Sequence, residues 1–507
     1  MCGIVGILSF DLDKWPINIP DLVAMRDTMI HRGPDGKGLW IHKNKTIGFG
    51  HRRLSIVDLT DSASQPMVYG DDQYIISFNG EIYNHAELRQ ELINLGHTNW
   101  KTDHSDTEVI LQAYHEWGID CIHRFRGMFA IAIWDNINQN LWLVRDRVGV
   151  KPLYYAYDDK GITFASEIKA ILANPKQPRE VNEEAFFHYL SFLATPAPLT
   201  LFKGIKKLAA GTWAKIDIAG NIEVKRWWDV WDNVSSIDTL DEDKIQTELL
   251  SNLNSAVEYR KIGDVPIGIF LSGGLDSSAN VALFKRRKDQ IVKTFSIGYD
   301  DKQKSVADEL PYARMVAKEL NTEHHEYVIS QDDLISFLPD MIKYQDEPIA
   351  DPVCVPVYFV SKLARENGVK VCQVGEGADE LFCGYPSWKI FLNLERANSL
   401  PVPRFFKYFA FKVLSSLGQK NKLYTEFLRR ASLGQPIFWG GAEAFTENAK
   451  FQILSPRLKE KFRGRSSWEI IEPFYESFKK NAHNTSFLNW MSYLDLNLRL
   501  PELLLMR

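Results

Sequence analysis

The stretch Ile267-Gly268-Ile269-Phe270-Leu271-Ser272-Gly273-Gly274-Leu275-Asp276-Ser277-Ser278 decides how the second half of the chain is built. An apolar run of strand length enters two glycines, and a helix-compatible segment follows from Ser277 to about Lys285. Strand, tight turn and helix start together make an anion site, because bare backbone N–H groups and the positive end of the helix dipole face the ligand. Gly273 and Gly274 let a phosphate approach the main chain, Ser272, Ser277 and Ser278 add hydroxyl donors, and Asp276 is placed to hold a metal or orient a nucleotide. A serine-glycine turn joining a strand to a helix is the plainer alternative.

Downstream, the pattern alternates strand and helix. Strands are expected at Lys293–Ile297, His325–Ile329 and Val369–Val374, and helices at Pro311–Leu320, Asp332–Tyr344 and Pro356–Asn367. Such alternation predicts a parallel sheet with right-handed crossovers. Ligands of such sheets bind beyond the carboxyl ends of strands, where Ser272–Ser278, Gly298–Asp301 and Gly375–Gly384 fall. The last loop carries Glu376, Asp379 and Glu380 among glycines, hard oxygen ligands that suit a magnesium nucleotide. An acidic helix N-terminus is the alternative there.

The first half reads differently. Gln73–Phe78, Met128–Trp134, Leu141–Val144 and Leu153–Tyr157 are rich in β-branched and aromatic residues, with a hairpin connection at Asn136–Asn140. Helical spacing fits Ala86–Leu95 and Asp106–Trp117, the second opened by a Ser105/Glu108 capping box. These segments predict a layered α/β domain with antiparallel sheets.

Composition bounds the rest. With 507 residues, 45% hydrophobic content and a net charge of −5, the chain is globular and no obligate nucleic-acid binder. Its five cysteines form no Cys-x-x-Cys pair, which argues against a zinc site or a disulfide framework. No signal peptide and no 18-residue apolar run is visible, so the expected location is cytoplasmic without a membrane span. The basic run Lys285–Lys288 reads as a solvated helix end, and the aromatic, basic stretch Pro403–Leu417 as a domain-packing helix rather than a membrane-surface one.

Cys2 follows the initiator methionine and is small enough for that methionine to be removed, which would set the chain's own α-amine, with a reference pKa of about 7.7–8.0, beside the thiol as base. A buried cysteine in a first strand is the alternative. Polar words punctuate the strands that follow: His31–Gly36, Arg53-Leu54-Ser55-Ile56-Val57-Asp58, Asn79-Gly80-Glu81-Ile82-Tyr83-Asn84 and Ser105–Glu108.

In that order, with Cys2, these words resemble the glutaminase domain of class II amidotransferases. Ser272–Ser278 resembles the pyrophosphate loop of ATP pyrophosphatases, and Gly375–Tyr385 the second signature of asparagine synthetases. The resemblance implies an α+β N-terminal-nucleophile layered (αββα) domain at 2–212. A joining stretch at 213–240 and an α/β parallel-sheet ATP-pyrophosphatase (adenine nucleotide α-hydrolase-like) domain at 241–507 complete the chain. It also implies roles. Cys2 would attack glutamine, with Asn79 and the Gly80 N–H holding the oxyanion, while Arg53, Leu54, Ser55, Ile56, Val57, Glu81 and Asp106 bind glutamine. Leu271, Ser272, Gly273, Gly274, Asp276, Ser277, Ser278, Ile297, Val374 and Gly375 would border ATP, Asp276 and Asp379 would hold Mg2+, and Glu376 would help form an acyl-adenylate. Asp346–Pro352 fits the acceptor-side loop of that family; His31 and Arg32 are read as structural.

The activity so implied is amidation of aspartate to asparagine, with ATP cleaved to AMP and pyrophosphate. Another carboxylate, such as a uronic acid of a surface polysaccharide precursor, is a second acceptor, and a glutaminase or regulatory module without synthetase activity a third reading. Partners are small molecules, with a homodimer left open. Members of the family are expected to continue for about another hundred residues, so the apolar end Leu503–Met506 reads as a chain cut inside an element.

Overall fold

A computed structural model describes residues 1–234, 241–285, 291–300, 309–419 and 421–506. The first half holds β1 (Gly3–Ser9), β2 (Gly36–Ile41), β3 (Ile47–Arg53), β4 (Met67–Tyr69), β5 (Tyr74–Ile82) and β6 (Gly127–Asp135). It continues with β7 (Asn140–Arg145), β8 (Tyr154–Tyr157), β9 (Gly161–Ala165), β10 (Ile205–Lys207), β11 (Thr212–Asp217) and β12 (Ile222–Arg226). They form two antiparallel sheets, ordered β10-β8-β9-β1-β3-β2 and β12-β11-β7-β6-β5-β4.

Period-two alternation sorts the side chains of β1 into two cores. Ile4 and Leu8 face the second sheet and meet Phe49, Trp134, Leu143 and Phe164, while Val5 and Ile7 pack on Leu22 and Met25 of the helix Ile19–Asp27. Gly6 lies on the Ile4 side, where a Cβ would come within 2.3 Å of the Phe164 ring, so the missing side chain admits that ring between the sheets. On the outer face of the second sheet, Ile76, Phe78 and Phe129 bury Leu88, Leu92, Val109 and Ile110 of the helices His85–Asn94 and Asp106–Trp117. The result is a helix–sheet–sheet–helix sandwich.

Two expectations change. The Ser105/Glu108 capping box does not form: the Glu108 carboxylate instead accepts from the Lys101 and Thr102 backbone N–H groups, at 2.7 and 2.8 Å. Residues 213–226, expected within the joining stretch, are mostly β11 and β12; β11 pairs with β7 and β12 with β11, which makes them the edge of the second sheet. Trp227 is accordingly buried in the first-domain core, whereas Trp231 stacks 4.6 Å from Tyr493 of the second half.

The second half holds β13 (Ile267–Phe270), β14 (Lys293–Tyr299), β15 (Glu323–Ile329) and β16 (Val371–Gln373), a parallel sheet ordered β15-β14-β13-β16. The chain runs outward from β13 to β15 and then returns to β16 on the other side of β13. The loops after β13 and β16 therefore diverge at a topological switch point, where such sheets bind ligands. Gly298 falls inside β14 rather than in a loop, and Asp301 lies outside the described residues, as do 286–288 of the basic run.

Helices complete this half, around a core of Trp388, Phe438, Trp439, Trp490 and Leu494 that also buries Phe192 from the first half. Leu500, Leu503 and Leu504 pack on Ala194 and Ala442. The helix Arg404–Leu414, expected to pack between domains, turns its phenylalanines outward instead. Among the described residues no helix is long and apolar enough to cross a membrane.

Inside this helical region, Asp495 is fully buried; one carboxyl oxygen accepts the Gly441 N–H at 2.7 Å, and Arg499 stands 3.8 Å away. Burial pushes its pKa up to about 7. The folded state thus holds a proton that the unfolded state has lost, and stability falls as pH rises from about 4 to about 7. The full penalty is on the order of 4 kcal/mol. Asp495→Asn keeps an acceptor for Gly441 and cannot ionise. Urea unfolding across that range should show the fall in the parent and a flatter profile in the variant.

Candidate functional site

Two sites form, one at the end of β1 and one at the carboxyl end of the parallel sheet. Cys2 precedes β1, and its sulfur meets the Leu54 backbone at 3.4 Å (N) and 3.7 Å (O), just past β3. Around it a cavity is lined by Arg53, Leu54, Ile56, Val57, Gly80, Glu81 and Asp106, all expected, by Ser105 and Thr107 of the same polar word as Asp106, and by Gln65, which sequence reasoning did not single out. Ser55 flanks the cavity without lining it; its N–H donates to Asp35 at 3.0 Å.

The polar chemistry of this cavity is unusual for a protein interior. Asn79 is 1% exposed, and both amide atoms lack a partner among the described residues. Asn79 does not itself line the cavity, but it sits on β5 directly before Gly80, which does, and a buried unpaired amide costs about 1–3 kcal/mol, so it is a ready donor for an incoming oxygen. Gly80 must be glycine: a Cβ would lie 2.1 Å from the Met128 carbonyl across the β5–β6 ladder.

Burial raises the pKa of the Cys2 thiol, while the terminal amine and the Leu54 N–H pull it back. The α-amine of Met1 is lowered to about 5, chiefly by burial, so that amine is uncharged at neutral pH. Burial and then the charge of Asp106 push Glu81 well up, and burial raises Asp106, which accepts the Ile82 N–H at 3.1 Å. Two carboxyls that share a pocket resist ionising together, and a bound ammonium group would relieve them. Arg53 spends N–H groups on the carbonyls of Thr60, Val57 and Asp58, which wraps its own loop around the guanidinium. Its Nε–H and one further N–H of the fork stay available.

Lys151 and Glu167 escaped the sequence reading. Lys151 is buried near Glu81 and Cys2, and burial lowers its pKa. The Glu167 carboxylate accepts from His31 (3.0 Å), Arg32 (3.0 Å) and Lys169 (2.7 Å), while Arg32 Nε donates to the Cys2 carbonyl at 2.9 Å. Burial alone would raise the Glu167 pKa, but its hydrogen bond from His31 and the charges of Arg32 and Lys169 hold it well below the carboxylate range. Arg32 thus bridges Glu167 and the backbone of Cys2.

At the second site, Gly273 has φ +84°, and a Cβ there would lie 2.5 Å from the Ala313 N. The loop is preformed by hydroxyls: Gly274 N–H donates to Ser272 Oγ at 3.2 Å, and Ser277 and Ser278 Oγ donate to the Gly274 carbonyl at 3.1 and 2.7 Å. The helix Leu275–Phe284 then opens on exposed N–H groups. A Cβ on Gly375 would touch Asp276 at 3.4 Å, so the two diverging loops meet at that point. Burial and then the charge of Asp379 raise the Asp276 pKa, so the two carboxylates feel one another's charge across these loops. Leu271 is buried in the apolar core and Ile297 is half-buried, so each could border a nucleotide chiefly through its backbone, whereas Val374 is exposed. Glu376 is exposed on the same loop.

The sites are tied together. Lys169 also meets Asp346, at 3.1 Å through its backbone N–H and 3.2 Å through Nζ, and Leu201 N–H donates to Glu347 at 2.6 Å. On another side Asp264, just before β13, accepts the Asp58 N–H at 2.8 Å and His104 at 2.7 Å, and Lys370 pairs with Asp35 at 3.0 Å.

A glutamine amidotransferase domain model matches residues 1–228, and an asparagine synthase model matches 248–507. The chain is 35% identical over 498 residues to glutamine-hydrolysing asparagine synthetase 1 of Bacillus subtilis, spanning 98% of this chain and 75% of that protein. It is 37% identical to a putative glutamine-hydrolysing asparagine synthetase of Mycobacterium tuberculosis, spanning 88% and 68%, and 34% identical to one of Methanocaldococcus jannaschii, spanning 91% and 90%. An αββα domain with Cys2 at its first strand and a parallel-sheet domain with a phosphate loop at its switch point, matched along nearly its whole length, place this chain in the glutamine-hydrolysing asparagine synthetase family.

Proposed function

We propose that the chain converts aspartate to asparagine, taking nitrogen from glutamine and energy from cleavage of ATP to AMP and pyrophosphate. The observation that carries this reading is the tie, through Glu167 and Lys169, between the strand end that bears Cys2 and the Asp346 loop of the half that holds the phosphate loop.

In the first site the Cys2 sulfur attacks the glutamine side-chain carbonyl, and the chain's amine, once Met1 is removed, takes the thiol proton. Asn79 and the Gly80 N–H hold the oxyanion, and such preorganised donors act most strongly where charge develops. The C–N bond breaks, ammonia leaves, and water cleaves the thioester to glutamate. Arg53 receives the substrate carboxylate, and Glu81 and Asp106 receive its α-ammonium group, which restores charge balance to the two carboxyls.

In the second site a β-carboxylate oxygen of aspartate attacks the α-phosphorus of ATP at Ser272–Ser278, and pyrophosphate departs. Ammonia then attacks the acyl carbon and AMP leaves. Asp276 and Asp379 are proposed to hold Mg2+, which would neutralise phosphate charge when bound. Glu376 is proposed to act beside the acyl-adenylate. Leu271, Ile297, Val374 and Gly375 border the adenine and ribose.

With ATP, magnesium and aspartate, pyrophosphate release should be supported by either glutamine or ammonium chloride. Cys2→Ala should abolish the glutamine-supported rate, and Asn79→Ala should lower it by about 10²–10³-fold, while both keep the ammonium-supported rate. Pyrophosphate release that ignores aspartate, or that a uronic-acid sugar supports instead, would remove aspartate as the acceptor. A second expectation concerns coupling. Lys169→Met leaves Arg32 on the Cys2 carbonyl and the residue-169 backbone N–H on Asp346 but removes the Nζ bridge between Glu167 and Asp346, so glutaminase turnover should persist while glutamate formed per pyrophosphate rises above parity. An unchanged ratio would deny the link a coupling role.

A further inference from the structure

The helix Arg404–Leu414 reads Arg-Phe-Phe-Lys-Tyr-Phe-Ala-Phe-Lys-Val-Leu. At 100° per residue, Phe405, Phe406, Phe409 and Val413 fall within one arc of about 100°. In a globular protein such a stripe faces the core; here it is 70, 59, 60 and 40% exposed, respectively. The opposite side packs on the helix Leu423–Leu433, and Lys407 is fastened to Asn398 at 2.7 Å, so the outward direction of the stripe is set by the fold. Leu400 and Leu417 extend it at either end, 60 and 68% exposed.

Charge identifies what would cover it. Between Glu395 and Glu426 the sequence contains no carboxylate, yet Arg404, Lys412 and Lys422 stand exposed around the aromatic stripe, in a chain whose net charge is −5. A second copy of the chain, related by a two-fold axis, would set these cations against themselves. Phenylalanines on one face with cations on its borders match the boundary between acyl chains and anionic headgroups, where the rings enter the apolar layer and the cations meet phosphate. We propose that this helix is a peripheral docking face for an anionic lipid bilayer, holding the enzyme on a membrane surface without spanning it.

The test is pelleting of the whole chain with phosphatidylcholine vesicles, with and without about 30 mol % phosphatidylglycerol. Binding is expected only with the anionic lipid, weakened as salt rises through several tenths molar. Phe405→Ser with Phe409→Ser, or Arg404→Glu with Lys412→Glu, should each cut the bound fraction at least tenfold while glutamine hydrolysis stays unchanged, which certifies the fold. Absence of pelleting with the anionic vesicles, or binding that both double variants retain, would overturn the proposal. So would a concentration-dependent dimer that the phenylalanine pair dissolves, since the face would then belong to a second copy.

Discussion

The carboxylate of Glu167 is the group on which the arrangement of both sites depends. It is buried, and burial of a lone carboxylate costs several kcal/mol even after relaxation. His31, Arg32 and Lys169 offset that cost, and each of them fixes something else in turn. Arg32 holds the carbonyl of Cys2, so the nucleophile cannot shift along the strand end. Lys169 reaches Asp346, in the acceptor-side loop of the other domain. This ion cluster therefore ties the strand end that bears Cys2 to the Asp346 loop of the second half. Such a cluster is poor material for stability alone, since apolar packing would do as well; its worth lies in holding one geometry.

A second set of contacts shows that the glutamine loop is not a property of the first domain by itself. Asp264, which leads into β13, receives the N–H of Asp58 and the ring of His104, while Lys370, which leads into β16, pairs with Asp35. The two strands that carry the nucleotide loops at their far ends thus hold the polar words of the first domain at their near ends.

How much of this could be read from the chain depended on whether the signal was local. The phosphate loop is local: an apolar run, two glycines and three serines announce strand, turn and helix, and the helix Leu275–Phe284 follows directly on Gly274, ahead of the expected start at Ser277. Asp106–Trp117 was legible to the residue because its apolar spacing ends at Gly118. The capping box beside it was not, because Glu108 found better partners in the backbone of Lys101 and Thr102, which fold back in space. β11 and β12 fell inside the joining stretch 213–240, although Gly211–Trp213 and Lys225–Trp228 already read as a short hairpin closing the first domain. Lys151 and Glu167 carry no local mark at all; their roles come from partners far away in the sequence. For the helix Arg404–Leu414, amphipathic spacing was visible, but periodicity cannot say whether the apolar side looks inward.

The central claim is that ATP is spent by transferring its adenylyl group to the carboxylate that becomes the amide, and oxygen isotopes follow that transfer atom by atom. With aspartate labelled by ¹⁸O in its β-carboxylate, one labelled oxygen should leave with each AMP formed, as acyl–oxygen cleavage by ammonia requires. Label retained in the amino-acid product with none in AMP, or label appearing in inorganic phosphate, would contradict an acyl-adenylate and with it the assignment of the Ser272–Ser278 loop.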